Sequence, residues 1–129
     1  MNSSSIQKYS KKSIPQLIKL AEKRFNKFIR ERDKDKPCIS CGKFTTLEAG
    51  HFFSAGHHPI LRFNEFNVNG QCKHCNCFLH GNLLNYRQGF INKYGIEKLT
   101  ELEFYRDYEK RHGFKWDRFL LIDIIEKYK

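Results

Sequence analysis

The first sustained pattern of apolar and polar positions begins after Ser13. Ile14, Leu17, Ile18, Ala21, Phe25, Phe28 and Ile29 recur in steps of three and four, which places them on one buried stripe of an α-helix. Lys19, Lys23, Lys27 and Arg30 fill the outward positions. Ser13-Ile14-Pro15-Gln16 supplies the start: a serine cap, glutamine three residues on, and proline in the first turn, where its missing N–H costs nothing. The polar run Arg32 to Pro37 ends the helix, which is assigned to residues 13–33. Ahead of it, Met1 to Lys12 is rich in serine and lysine with isolated apolar residues, and predicts a flexible basic arm over residues 1–12.

Beyond Pro37 the period changes. Leu47 and Ala49, with Phe44 a weaker member, predict a short strand into Gly50-His51 that Phe52-Phe53 continue. Gly56-His57-His58-Pro59 then opens a loop. Alternation from Ile60 to Val68 is imperfect and supports a second strand only over Phe66 to Val68. From Cys75 or Asn76 to Tyr94, the positions of Leu79, Leu83, Tyr86, Phe90 and Ile91 predict a helix, weakened by Gly81 and Gly89. Tyr94-Gly95 stops it, and Ile96, Leu99, Leu102 and Tyr105 mark another helix to about Arg111. After His112-Gly113, Asp117 can cap a last helix that buries Leu121, Ile124, Ile125 and Tyr128, although its β-branched residues leave a strand open. The pattern predicts an α+β fold, with a short β-hairpin flanked by N- and C-terminal helices in one domain over residues 13–129.

Two Cys-x-x-Cys pairs, Cys38/Cys41 and Cys72/Cys75, enclose the strands. Two intervening residues let two thiolates share one tetrahedral ion, and two pairs give the four ligands of a closed structural zinc site. Gly42 can take the positive φ that such a knuckle needs. Disulfides compete, but need an oxidising compartment that nothing in the sequence indicates. Cys77 is expected as a small buried filler.

Charge narrows the partner. Over 129 residues, 24 Lys and Arg against 14 Asp and Glu leave +10, which favours a polyanion, most simply DNA. Lys19, Lys23, Lys27 and Arg30 are candidate phosphate contacts, although a charged helix face is usually only solvated. Phe119 to Ile122 is too short an apolar run to cross a bilayer and no leader is visible, which predicts a soluble protein of the cytoplasm.

Hydrolysis of a phosphodiester needs a base for water, a divalent cation against the developing charge, and cationic groups to hold the strand. His51, at the end of the first strand and inside the zinc-closed segment, is the candidate base, because its neutral form is present near pH 7. The plain alternative is a structural histidine.

Cys38-x-x-Cys41, Gly50-His51, Asn67, Cys72-x-x-Cys75-Asn76 and Gly81-Asn82 resemble a zinc-bound HNH, or ββα-metal, nuclease with a treble-clef-like core over residues 38–94. Pro-Cys-Ile-Ser-Cys-Gly, Ala-Gly-His-Phe and Leu-Arg-Phe-Asn are similar to the phage NinG/Rap recombination endonuclease family, over about Phe25 to Gly95. The resemblance implies a phage-encoded, metal-dependent endonuclease acting on branched recombination intermediates such as Holliday junctions and D-loops. It implies His51 as general base, Asn67 as the asparagine that orients base or loop, and Asn76 as a ligand of the catalytic Mg²⁺ or Mn²⁺. Many such nucleases carry Asp or His before the base, where this chain has Gly50. The candidates to complete the cation shell are therefore His58, His80, Asn82 and Glu48, although a strand would point Glu48 away from His51. His51 can instead be a ligand with His58 as base. Arg62, then Arg87, are the candidates for scissile-phosphate contact. A non-catalytic zinc module that binds nucleic acid, and an adaptor docking through its C-terminal helices, remain alternatives. Symmetric junction cleavage would imply a homodimer, with Phe119 to Ile125 as the only hint of a face.

Overall fold

The computed structural model describes residues 3–129 and opens with a short helix, α1, over Ser3–Lys8. The flexible arm expected here is tied down instead, apart from Met1 and Asn2, which lie outside the described residues. Tyr9 is buried in the main core, and its hydroxyl donates to Glu126 at 3.2 Å, while Ser5 donates to the same carboxylate at 2.9 Å. Arg118 donates to the carbonyls of Tyr9 and Lys12. One aromatic and partners more than a hundred residues away do what local composition cannot reveal.

Helix α2, Ile14–Asp33, starts as its sequence predicts: Ser13 accepts from the Gln16 N–H and the Gln16 side chain accepts from the Ser13 N–H. Its buried positions are Leu17, Ala21, Phe25, Ile29 and Asp33, an i, i+4 row whose last member is charged. Strand β1, Leu47–His51, pairs antiparallel with β2, Val68–Cys72, with Leu47 opposite Cys72 and His51 opposite Val68. The hairpin is therefore shorter than expected on the first strand and displaced on the second. Phe52 and Phe53 leave the ladder to pack beside the second core. Every residue of β2 is buried, including Asn69 and Gln71, which make its polar sequence look like a turn.

Helices α3, Leu83–Tyr94, α4, Ile96–His112, and α5, Arg118–Lys127, follow. Asp117 caps α5, accepting from the Leu120 N–H at 2.9 Å. The helix expected to run on from Asn76 begins only at Leu83; a wide turn over His74–Phe78 precedes it. Helix α2 covers one face of the hairpin and α5 packs against α2, together enclosing Phe25, Ile29, Val68, Leu121, Ile122 and Ile125. On the other side, Leu61, Tyr86, Phe90, Leu99 and Leu102 form a second core between α3 and α4. The run Phe119 to Ile125 turns Leu121, Ile122 and Ile125 into the first core and leaves Phe119 and Leu120 exposed. Among the described residues no helix is long and apolar enough to cross a membrane.

Candidate metal centre and active site

The Cys pairs meet because one lies just after α2 and the other at the end of β2, and the hairpin brings Leu47 against Cys72. All four sulfurs lie within 4.8 Å of one another, with Cys41 and Cys72 3.7 Å apart. Tetrahedral Zn–S bonds of about 2.3 Å put sulfurs roughly 3.8 Å apart, and a disulfide would bring a pair to about 2 Å. The spacing fits a metal such as zinc, and the four thiols are free of disulfides in this structure. Burial pushes the Cys38 thiol up, but backbone N–H groups of Cys72, Cys41 and Ser40 override it and hold its pKa at about 7. Burial and the crowding sulfurs drive Cys75 the other way, to about 12, the direction that a bound divalent cation would reverse. The Asn82 amide donates to Cys75 Sγ at 3.4 Å. Cys77 is exposed rather than a buried filler, its sulfur 3.5 Å from Glu48.

His51 ends β1 on the face turned toward α2. Its Nε2 lies 2.9 Å from the Arg62 carbonyl, and a carbonyl only accepts, so Nε2 carries the proton and Nδ1 the lone pair. Burial lowers its pKa from the ordinary 6.5, leaving the ring neutral near pH 7. The Arg62 guanidinium does not project freely; it pairs with Glu22 of α2 at 3.1 Å. Asn67 is wholly buried and spends its amide on backbone: it accepts from Phe53 N at 2.8 Å and donates to the Phe53 and Leu61 carbonyls at 3.0 Å each. It clamps the loop after His51 and cannot touch a phosphate. His58 lies 3.6 Å from Glu109 of α4, which makes it part of the loop's anchorage.

The opposite face of β1 carries Glu48, whose Oε1 accepts from the Asn76 amide at 2.9 Å. Gln71 stands across from Glu48, and its Oε1 fills the space beside Gly50, 2.1 Å from where a Cβ at that position would sit. That oxygen is buried without a hydrogen-bond partner. Of the three expected cation ligands, Asn76 thus meets a carboxylate, Asn82 is turned to the Cys75 sulfur, and His80 stands exposed on a left-handed turn. Among the described residues, the four cysteines are the only group of three or more Cys, His, Asp or Glu ligands.

Residues 2–129 match the family model described as "Bacteriophage Lambda NinG protein". The chain belongs to the NinG family. It is similar to proteins named "Protein ninG" from Escherichia phage 933W and Escherichia phage lambda, each 48% identical over 88 residues. Those residues are 67% of this chain and 44% and 43% of the relatives. The relative from Salmonella phage P22 is 47% identical over the same share of the chain. The chain spans less than half the length of these curated relatives. No solved structure matches it significantly.

Several residues that position the NinG-family site were not among its predicted members. Tyr86 donates its hydroxyl to the Gly50 carbonyl at 2.7 Å, fixing the strand end beside His51, and Glu22 holds Arg62. Asp33 takes two bonds from Arg32 and one from the Gly70 N–H, all at 2.8 Å, and so fastens β2 to the end of α2. Asp33 alone had a local signal, a charge at the next i+4 step of the apolar row, although the sequence pattern counts it in the polar run that ends the helix. Lys19, Lys23, Lys27, Arg30 and Arg87 are all exposed, and the first four lie along one side of α2.

Proposed function

We propose that this chain is a metal-dependent DNA endonuclease of the HNH type, with a zinc-bound treble-clef-like core, acting on branched recombination intermediates. The observation that carries the reading is the His51 ring held through Nε2 by a backbone carbonyl at a strand end, beside a loop closed by four thiolates. A histidine held this way offers Nδ1 to a water, and its lowered pKa keeps that nitrogen unprotonated. Arg62 fixes the ring through its carbonyl, while Lys19, Lys23, Lys27 and Arg30 on the outward side of α2 add to the net positive charge that favours the DNA backbone. Asn67 keeps the loop after His51 in place. Mg²⁺ takes one or two carboxylates from a protein and completes its shell with water and phosphate. Glu48 and Asn76 pair with each other on the opposite face of β1 from His51, so the cation of this reading would be held beside His51 chiefly by phosphate and water. The cation would supply charge neutralisation at the phosphate.

The test incubates zinc-loaded protein with linear duplex, single-stranded and four-way-junction DNA, with and without Mg²⁺ or Mn²⁺. Cleavage should require the added cation and fall at least about 100-fold in His51→Ala, the range for loss of a general base. Cutting that survives the substitution removes His51 from the mechanism. Folded, zinc-loaded protein that binds DNA without cutting makes the chain a nucleic-acid-binding module.

A further inference from the structure

The turn between the second Cys pair and α3 is held in a costly conformation. His80, Gly81 and Asn82 have φ of +51°, +94° and +44°, three consecutive left-handed residues of which two carry side chains that resist it. Gly81 N–H to the Cys75 carbonyl at 2.8 Å and Asn82 N–H to the Leu79 carbonyl at 2.9 Å keep it closed. What this turn presents is apolar and open to solvent: Phe78 is 67% exposed and Leu84 88%, with Leu79 and Leu83 beside them. Its surroundings are cationic. Residues 66–96 contain no Asp or Glu, Lys73 and Arg87 flank the tip and are exposed, and Glu48 reaches only its base, at Asn76 and Cys77.

An apolar tip amid positive charge and free of acids suits a polyanion that has apolar faces of its own. Nucleic acid is such a polyanion wherever bases are unstacked; in continuous duplex those faces are closed against one another. We propose that the Phe78–Leu84 tip stacks on unstacked bases, giving the chain its preference for branched or single-stranded DNA over linear duplex. The inference rests on the DNA reading above and adds the feature by which the substrate is chosen.

The experiment compares wild type with Phe78→Ala/Leu84→Ala by fluorescence anisotropy on a four-way junction, a single strand and a linear duplex, without added Mg²⁺. Both side chains are exposed, so circular dichroism and zinc content should match wild type. Stacking is worth about 1–3 kcal/mol per base, so junction and single-strand affinity should each fall at least about fivefold, with duplex affinity changed less than about twofold. Phe78→Trp should retain the preference. A fall on the single strand alone narrows the target to single strands, and one on the junction alone narrows it to branch points. Undiminished junction and single-strand binding by the double variant overturns the proposal, as does an equal fall on all three DNAs. Loss of self-association with DNA binding intact assigns the tip to a second copy, and also overturns it. Wild type that binds none of the DNAs removes the DNA reading itself, a result distinct from wild type and variant binding alike.

Discussion

Asp33 stands where the buried row of α2 takes its next step, almost fully enclosed, with Arg32 in a two-pronged pair and Lys36 and Lys93 further off at 3.6 and 3.8 Å. Burial alone would raise its pKa; the Arg32 bonds, the Gly70 N–H and the nearby positive charge outweigh it and hold the carboxyl at about 2, below the ordinary 3.8. The resulting stabilisation, roughly 2 kcal/mol, is complete above pH 3.8 and disappears as pH falls through about 2. Asp33→Asn should lose about 2–4 kcal/mol at pH 7, because it also strands Arg32 without its counter-charge; urea unfolding at several pH values measures both effects. His51 behaves in the opposite chemical sense. Its folded pKa lies below 6.5 because burial opposes the charged ring, so the unfolded chain takes up the proton first and stability falls as pH drops below 6.5. Cleavage on a junction substrate should show a single-proton acid limb below pH 6.5 that is absent from the residual activity of His51→Gln.

At the scale of elements, α3 is held against the first Cys pair at Gly89, where a Cβ would sit 1.8 Å from the Ile39 carbonyl. In a free helix Gly→Ala stabilises by about 0.5–1 kcal/mol. Here the sign reverses: Gly89→Ala should destabilise by about 1–3 kcal/mol through overpacking, read as a lowered thermal midpoint with helicity intact. The sequence treats Gly89 only as a weak point in a helix, since nothing local discloses that another backbone passes there. Helices α2, α4 and α5 were legible because caps and three-four spacing are local signals, and the Cys spacing was legible because one ion dictates it. Strand β2 was not. Its amides look like loop residues until Tyr86 and Tyr94 are seen to satisfy Asn69, and Ser40 and the Gly81 carbonyl to accept from the Gln71 amide nitrogen. His51 ends β1, the place the sequence pattern gives it. Its tautomer, and the engagement of Arg62 with Glu22, needed the fold.

For the whole molecule, the cysteine cluster joins what two separate cores leave apart. One core lies between α2, α5 and the hairpin, the other between α3 and α4, and the cysteine group sits between the end of α2 and the approach to α3. Native mass spectrometry should find one zinc ion per chain. Chelation, or Cys72→Ser, should lower the thermal midpoint sharply and loosen the His51 loop and α3 more than α2 and α5, which hydrogen exchange resolves segment by segment. The contact of α1 with α5 has a different reach. Ser5 and Glu126 share a hydrogen bond although 121 positions separate them, so α1 and the last turn of α5 report on one another. A fluorophore pair at Lys8 and Lys127 should therefore stay in close range until the whole domain unfolds, and lose that proximity in the same step as the helical signal.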